Sequence, residues 1–259
     1  WDQKSQTARA TLPGTHWDLS YGEEALQRLD VIEPGPGTPR PAPVLVFIHG
    51  GYWRSLDKSD HSFVAPAIQK AGAMPVIVNY DLAPQVSISE ICLQMVRALA
   101  WVWRHGADFG GDPERIHVVG HSAGGHLAAM MLTTLWRQHA SDLPPDLVRC
   151  AMSISGVHEL DSVRQAAFVQ PDLRLTPEEA QRCSPAWMPA PKHGHIYCVA
   201  GALESPEFLR QNALLQHAWG SRRVPITEAL PGEQHFSIVD QFRQSDSRLV
   251  QLLHQLLAS

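Results

Sequence analysis

The sequence lacks the features that define several large protein classes. Its 259 residues contain no run of about 18 apolar residues that could span a membrane, and no concentrated cluster of Lys and Arg. Lys and Arg number 21 against 26 Asp and Glu, so the formal net charge is −5. A mildly acidic chain without a basic run is not expected to bind nucleic acid or an anionic membrane.

Cysteine is scarce, and the metal-binding spacings of cysteine and histidine are absent. The four cysteines lie far apart without a CxxC pair, and most of them sit in apolar runs, which predicts reduced, buried thiols. Fourteen histidines are present, but no HExxH motif occurs, so no metal is expected. The N-terminus is polar and has no hydrophobic signal segment. The interpretation is therefore a cytoplasmic protein.

What the chain does contain is an alternation of strand and helix patterns. Hydrophobic residues make up 44% of the sequence and charged residues 18%, as in a globular protein, and 259 residues are enough for one domain spanning 1–259. Short apolar runs separated by amphipathic stretches of 10 to 18 residues predict an α/β fold, with a mostly parallel sheet and helices on both of its faces. The predicted strands are 44–48, 76–78, 116–119, 150–154, 196–200 and 225–230, and the predicted helices are 62–71, 87–105, 122–139, 206–218 and 244–258.

Two segments interrupt this alternation. Residues 33–43 are too rich in Pro and Gly for a regular element and predict an exposed turn before the first buried strand. Residues 157–194 lie between two predicted core strands and hold one helix capped by Thr176, followed by a Pro-rich stretch. The second segment is long enough to form a small lid.

The clearest chemical motif is G-x-S-x-G at residues 120–124. It follows a predicted strand and precedes a predicted helix, which is the context in which the motif presents a nucleophilic serine. The following helix N-terminus directs N–H groups towards developing negative charge. Ser122 is therefore the predicted nucleophile, against the alternative of a tight turn with an incidental serine.

A glycine pair after the first buried strand complements this motif. In His49-Gly50-Gly51, the backbone N–H groups of Gly50 and Gly51 are free to join that of Ala123 in an oxyanion hole. Read alone, the motif leaves a glycine turn beside a partly buried histidine as the alternative.

A nucleophilic serine needs a base and an orienting carboxylate, which follow it along this fold as acid and then histidine. Glu204 and His235 each lie on a loop after a predicted strand, at the sheet edge where ligands bind. They are the predicted acid and base. The competitors are Glu207 for the acid, and for the base the histidines at the serine turn and in the following helices, His121, His126 and His217.

These motifs together resemble the kynurenine formamidase (arylformamidase) branch of the α/β-hydrolases, which neighbours the hormone-sensitive-lipase-like esterases. The resemblance runs from about Tyr21 to His235. It is carried by His49-Gly50-Gly51-Tyr52-Trp53, Tyr80-Asp81-Leu82-Ala83-Pro84, Phe109-Gly110-Gly111-Asp112-Pro113, Gly120-His121-Ser122-Ala123-Gly124 and Ser205-Pro206-Glu207-Phe208.

The resemblance implies a Ser-Asp-His triad at Ser122, Glu204 and His235, with Glu in place of the family's usual Asp. It also implies hydrolysis of an aryl formamide, a small-molecule substrate, without a cofactor. Three aromatic side chains are candidates for binding an aryl group, although ordinary packing is an equal alternative for them: Tyr52, Trp53 and Trp187.

Two rival functions stay open from the sequence. The same machinery would cleave short-acyl esters, which would make the protein a general carboxylesterase. A non-catalytic binding protein on the same scaffold is the alternative from a different class. The oligomeric state is also open, with a homodimer as one arrangement.

Overall fold

An eight-stranded sheet forms the centre of the structure, a computed structural model that describes residues 1–259. Its strand order is β1-β2-β4-β3-β5-β6-β7-β8. Strand β2 pairs antiparallel with both of its neighbours, and every pair from β4 to β8 is parallel. The predicted mostly parallel sheet is confirmed. The strands are β1 Thr15–Ser20, β2 Arg28–Ile32, β3 Ala42–Ile48, β4 Met74–Val78, β5 Gly111–His121, β6 Val148–Ile154, β7 His195–Gly201 and β8 Ile226–Leu230.

Eleven α-helices and four 3₁₀ helices connect the strands. None of the helices combines the length and the apolar character needed to cross a membrane. The α-helices are α1 Asp2–Thr11, α2 Ala65–Lys70, α3 Ile88–His105, α4 Ala123–Thr133, α5 Trp136–His139, α6 Asp161–Arg164, α7 Gln170–Leu173, α8 Pro177–Arg182, α9 Pro206–Trp219, α10 Ser237–Asp240 and α11 Arg248–Leu257. The 3₁₀ helices are Lys58–Val64, Gly106–Phe109, Pro185–Trp187 and Gln241–Arg243.

The central strands are buried on both faces, which explains their continuous apolar sequences. Along β3, Val44 and Val46 pack into one hydrophobic cluster, while Leu45 and Phe47 pack into the other, because successive side chains point to opposite faces. Helices α3, α4 and α9 contribute to the first cluster, and α2 and α11 to the second. Helices therefore cover both faces of the sheet, as predicted.

Several predicted boundaries need correction. The predicted helix 62–71 is a 3₁₀ helix up to Val64 and an α-helix only from Ala65. The predicted helix 122–139 ends at Thr133, because the next residue adopts an extended conformation with ψ of 132°, and a separate short helix follows. The C-terminal helix begins at Arg248 rather than at 244, since the Ser247 side chain accepts a hydrogen bond from the N–H of Val250 and caps it there.

The N-terminal elements α1, β1 and β2 were not predicted. The turn predicted at 33–43 agrees with the structure from residue 33 to 41, where no helix or strand forms, but β3 already begins at residue 42. The cysteines are all free and buried, which confirms their prediction as core thiols.

The segment 157–194, which we call the insertion, joins β6 to β7 and contains α6, α7, α8 and one 3₁₀ helix. The predicted cap is present, because the Thr176 hydroxyl accepts a hydrogen bond of 3.1 Å from the N–H of Glu179. The insertion leaves the sheet at the carboxyl ends of its strands, at the same edge as the loops that carry the candidate site.

Candidate active site

Ser122 lies in a sharp turn between β5, which ends at His121, and α4, which begins at Ala123. Its backbone has φ of 57° and ψ of −117°, a conformation that is costly for a residue with a side chain. The Ser122 N–H donates a 2.8 Å hydrogen bond to the carbonyl of Ile154 on the neighbouring strand, which holds the turn in place. This strand–turn–helix geometry is the one that the G-x-S-x-G pattern predicted.

The glycines of the motif are required by close backbone contacts. A Cβ on Gly120 would lie 2.0 Å from the carbonyl oxygen of Gly124, and a Cβ on Gly124 would lie 2.0 Å from that of Ile48. No larger side chain fits at either position unless the backbone moves. Through these contacts the turn packs directly against the end of β3.

The predicted acid, base and nucleophile form one chain of hydrogen bonds. His235 Nε2 is 3.1 Å from Ser122 Oγ, and His235 Nδ1 is 2.7 Å from Glu204 Oε2. Glu204 lies on the turn after β7, and His235 lies on the loop after β8. A histidine so placed can take the serine proton through one nitrogen while the other stays oriented by the carboxylate.

Glu204 is held by two further donors. Its Oε1 accepts hydrogen bonds from the Ser155 hydroxyl at 2.5 Å and from the Gly201 N–H at 2.6 Å, so the other oxygen is free for His235. Burial disfavours its charge, but the hydrogen bonds from His235, Ser155 and Gly201 outweigh burial and lower the pKa of Glu204. The carboxylate is thus ionised and aimed at the imidazole. This arrangement accommodates a glutamate, one methylene longer than an aspartate, as the orienting acid.

Ser155 is a site residue that sequence reasoning missed. It follows β6, has a positive φ of 51°, and donates its backbone N–H to Val199 across the sheet. A single serine after a strand carries no motif, so nothing in the local sequence distinguishes it.

The competitors for the acid and the base are occupied elsewhere. Glu207 forms an ion pair of 2.7 Å with Arg210, whose hydrogen bond lowers the pKa of Glu207 to about 2. His126 Nε2 lies 2.7 Å from the Cys183 carbonyl, and His217 is exposed. The His121 ring lies 4.8 Å from that of His235 at a tilt of 45°, and its Nε2 lies 2.8 Å from the His235 carbonyl oxygen, so it supports the base rather than replaces it.

The three predicted oxyanion donors have no acceptor within the protein. The backbone N–H groups of Gly50, Gly51 and Ala123 make no internal hydrogen bond. Gly50 lies directly against the nucleophile, since a Cβ on it would be 3.0 Å from Ser122 Cβ. Gly51 has φ of +107°, and its carbonyl accepts the N–H of Ser55 at 3.0 Å, which turns the loop back on itself.

His49 positions this loop. Its ring stacks on Tyr80 with 4.3 Å between centroids, and its nitrogens lie 2.7 Å from the Gly50 carbonyl and 2.9 Å from Asn79 Oδ1. Complete burial lowers the pKa of His49 and outweighs the hydrogen bonds to Gly50 and Asn79, which raise it. The partly buried histidine considered from the sequence is in fact wholly buried.

The predicted substrate-binding aromatics occupy three different environments. Tyr52 is half-buried and meets the ring of Phe168 edge-on at 5.2 Å. Trp53 has no exposed surface and packs edge-on against His126 at 5.1 Å, inside the hydrophobic core. Trp187 is 50% exposed on the insertion. Of the three, only Tyr52 lies both at the surface and on the loop 49–57 that carries Gly50 and Gly51, which we call the oxyanion loop.

Two phenylalanines that were not predicted surround the base. Phe208 lies 4.3 Å from His235 between ring centroids, and Phe236 meets the same imidazole edge-on at 5.3 Å. In the sequence, Phe208 lies near Glu204 and Phe236 is next to His235. The two rings meet around one imidazole only because α9 packs beside the loop after β8, which the local sequence does not reveal. They give the base an apolar surrounding.

No group of three or more His, Cys, Asp and Glu side chains converges in a way that could hold a metal ion. The chemistry that the arrangement can perform is nucleophilic: an activated hydroxyl beside unpaired N–H donors is suited to acyl transfer through a tetrahedral intermediate.

Comparison with known proteins defines the class. Residues 45–213 match a family described by the alpha/beta hydrolase fold. The chain belongs to this family, and it is a serine hydrolase. The predicted fold class is confirmed.

Within this class, the chain is similar to kynurenine formamidases. It is 33% identical to those of Danio rerio and of Salmo salar, in each case over 98% of this chain and 86% of the relative. A crystal structure from Silicibacter sp. TM1040, provisionally described as a thioesterase, superposes with a TM-score of 0.83 at 28% identity, covering 100% of this chain and 91% of its own. The predicted resemblance to the kynurenine formamidase branch is confirmed.

Proposed function

We propose that this protein hydrolyses aryl formamides, with N-formylkynurenine as the leading substrate, through an acyl-enzyme formed on Ser122. The observation that carries the chemistry is the continuous chain Glu204–His235–Ser122 beside three unpaired backbone N–H groups. The similarity to kynurenine formamidases over nearly the whole chain supports the choice of substrate.

In the first half-reaction, Ser122 Oγ attacks the formyl carbon while its proton passes to His235 Nε2, 3.1 Å away. The Glu204 carboxylate stabilises the resulting imidazolium through Nδ1. The carbonyl oxygen becomes negative in the tetrahedral intermediate, and we assign its stabilisation to the N–H groups of Gly50, Gly51 and Ala123.

Collapse of this intermediate breaks the C–N bond, and His235 gives its proton to the leaving aryl amine. In the second half-reaction, water donates a proton to His235 and attacks the formyl ester. Formate leaves, and Ser122 regains its proton. For N-formylkynurenine the products are kynurenine and formate. No step requires a cofactor.

The proposal treats residues 1–259 as one domain in which the insertion serves as a lid over the site. It also includes a cytoplasmic location, which the four free thiols favour because a reducing compartment keeps cysteines in that state. A homodimer stays a prediction that light scattering of the purified protein would test.

The decisive test compares kcat/KM for N-formylkynurenine with the values for p-nitrophenyl acetate and butyrate, using Ser122→Ala as the blank. We expect formamide turnover above about 10⁴ M⁻¹s⁻¹, well above that of the esters. Ester turnover with negligible formamide cleavage would instead favour a short-acyl carboxylesterase. Unchanged turnover in Ser122→Ala would show that Ser122 is not the nucleophile, and it would favour the alternative of a non-catalytic binding protein.

A further inference from the structure

The insertion contacts the oxyanion loop through two adjacent side chains. Arg54 Nη1 donates a 3.0 Å hydrogen bond to the Phe168 carbonyl, and the same guanidinium forms an ion pair with Asp172. Tyr52 meets the Phe168 ring edge-on at 5.2 Å, within the preferred range for aromatic pairs. One short stretch of the insertion is therefore fastened to the loop that supplies the proposed oxyanion donors.

This contact lies close to the nucleophile. The backbone of Gly50 packs against Ser122. Tyr52 is two residues further along the chain, so the Cα atoms of Gly50 and Tyr52 are at most about 7.6 Å apart. The Tyr52 ring is half-buried and packs against the hydrophobic cluster that also contains Ala123. The Tyr52–Phe168 contact therefore involves the same loop that packs against Ser122.

Phe168 has an unusual degree of exposure for its size. Its side chain is 59% exposed, although a phenylalanine ring gains stability chiefly by burial. Seven large apolar residues are exposed in this structure, and five of them lie on the insertion or on loops that follow strands at the carboxyl edge of the sheet: Leu56, Phe168, Trp187, Leu203 and Phe236. Apolar surface concentrated around a polar catalytic cluster is typical of a ligand site.

The ion pair explains how an exposed ring keeps its place. Arg54 binds the backbone of Phe168 directly, and its guanidinium carbon also lies 5.9 Å from the Phe168 ring centroid. The Arg54 and Asp172 side chains are 28% and 40% exposed, so their attraction is partly screened by solvent and holds the ring only moderately.

We propose that Tyr52 and Phe168 form a subsite for the aryl leaving group, and that the Arg54–Asp172 pair positions Phe168 in it. The inference rests on the proposed hydrolase function and adds a residue of the insertion, Phe168, as a determinant of leaving-group specificity. Phe168 presents a flat apolar ring to the aryl group, and Tyr52 supplies the second surface. An alkyl leaving group of equal size gains less from the pair, because it lacks the aromatic quadrupole.

The test compares phenyl acetate with cyclohexyl acetate, which share one acyl group and differ in the leaving group. In Phe168→Ala, we expect the phenyl-to-cyclohexyl ratio of kcat/KM to fall about fivefold relative to the wild type, within the range of one aromatic contact. Phe168→Tyr should retain the wild-type ratio. Leu135→Ala is the matched control, since Leu135 is 63% exposed but lies after α4 and outside the insertion, and its ratio should not change.

A binding measurement makes the result independent of turnover. Titration of kynurenine into Ser122→Ala and into Ser122→Ala/Phe168→Ala should show a Kd about fivefold higher in the double variant. Equal Kd values, or equal losses on both acetates in Phe168→Ala, would overturn the subsite. Failure of the wild type on N-formylkynurenine with the acetate ratio still shifted would reject the formamidase substrate and leave the aryl subsite standing.

Discussion

The serine turn and the insertion border the same site but are held in place by different means. At the turn, backbone packs on backbone, since a Cβ on Gly120 or on Gly124 would lie 2.0 Å from a carbonyl oxygen. The insertion is held by side chains, through the Arg54–Asp172 pair and the Tyr52–Phe168 contact. Backbone contacts of this kind tolerate no displacement, whereas side-chain contacts at a partly exposed surface can open and re-form.

The two ways of holding structure in place suit different requirements of the reaction. The chemistry needs donors and the nucleophile fixed within a fraction of an ångström, and the glycine-packed turn supplies that rigidity. The insertion, which we propose to serve as a lid, is held instead by side chains at a partly exposed surface. Changes at the turn and the triad should therefore affect kcat or folding, while changes in the insertion should affect KM and specificity.

The largest effect is expected at the acid of the triad. Glu204→Gln keeps the shape but cannot stabilise the imidazolium, and we expect kcat to fall about 10³- to 10⁴-fold. The matched control is Glu207→Gln, which removes a carboxylate paired with Arg210 and should change kcat little. A comparable loss in both variants would mean that the structure does not identify the acid.

At the turn itself, Gly124→Ala should lower the free energy of unfolding by about 3 kcal/mol, because the new methyl group overlaps the Ile48 carbonyl. Gly35→Ala is the control, since a Cβ there meets nothing closer than 3.8 Å, and its effect should stay within about 0.5 kcal/mol. Urea unfolding of both variants measures the difference. Similar values for the two glycines would remove the argument for a backbone-fixed turn.

Lowering the pH should destabilise the protein, because two histidines that contact or belong to the insertion are buried in their neutral form. Burial lowers the pKa of His126, which binds the insertion at the Cys183 carbonyl, and of His158, at the base of the insertion, to about 4 in each case. In the unfolded chain the ordinary value is 6.5. Between these values the unfolded chain binds protons that the native state excludes, so stability falls as pH decreases from 6.5 towards 4.

We expect each of these histidines to contribute roughly 1 kcal/mol to the loss of stability between pH 6.5 and 5.5. Urea unfolding at the two pH values measures the loss of stability. In His126→Gln, the contribution of His126 to this loss should be absent. A stability that is flat or rising over this range would contradict burial of the neutral forms.

The smallest effect is expected at the ion pair of the insertion. Asp172→Asn weakens the hold on Arg54, and because both side chains are partly exposed, the free energy of unfolding should change by less than about 1 kcal/mol. KM for aryl substrates should rise about twofold with kcat unchanged, since Phe168 is less well positioned. A fall in kcat without a change in KM would place this pair with the catalytic machinery instead.

The core of the fold and the meeting of Ser122, His235 and Glu204 were predictable because their signals are local. Strands buried on both faces are continuous apolar runs, and the nucleophile, acid and base each follow such a run in a fixed order. Glu204 was predicted as the acid from its place after β7, and the structure brings its carboxylate within 2.7 Å of His235 Nδ1. For Glu204, the position of the loop along the fold predicted the role better than the type of side chain did.

The missed elements depend on contacts between distant residues. Strand β2 has Asp30 at its centre, which argues against a buried strand, yet Asp30 is fully buried because Lys58 and Arg9 each pair with it at 2.7 Å. Ser155 and Phe168 likewise acquire their roles only through partners far along the chain, Glu204 and Arg54. No local pattern reports such pairings, since they arise from tertiary packing.

The most direct test of the account is covalent labelling of the nucleophile. The protein would be treated with diisopropyl fluorophosphate, assayed on N-formylkynurenine, and digested for peptide mass spectrometry. We predict a single adduct on the peptide that contains Ser122, loss of formamidase activity in proportion to labelling, and no adduct in Ser122→Ala. An adduct at another residue, or full activity in the completely labelled protein, would contradict the central claim that Ser122 is the nucleophile.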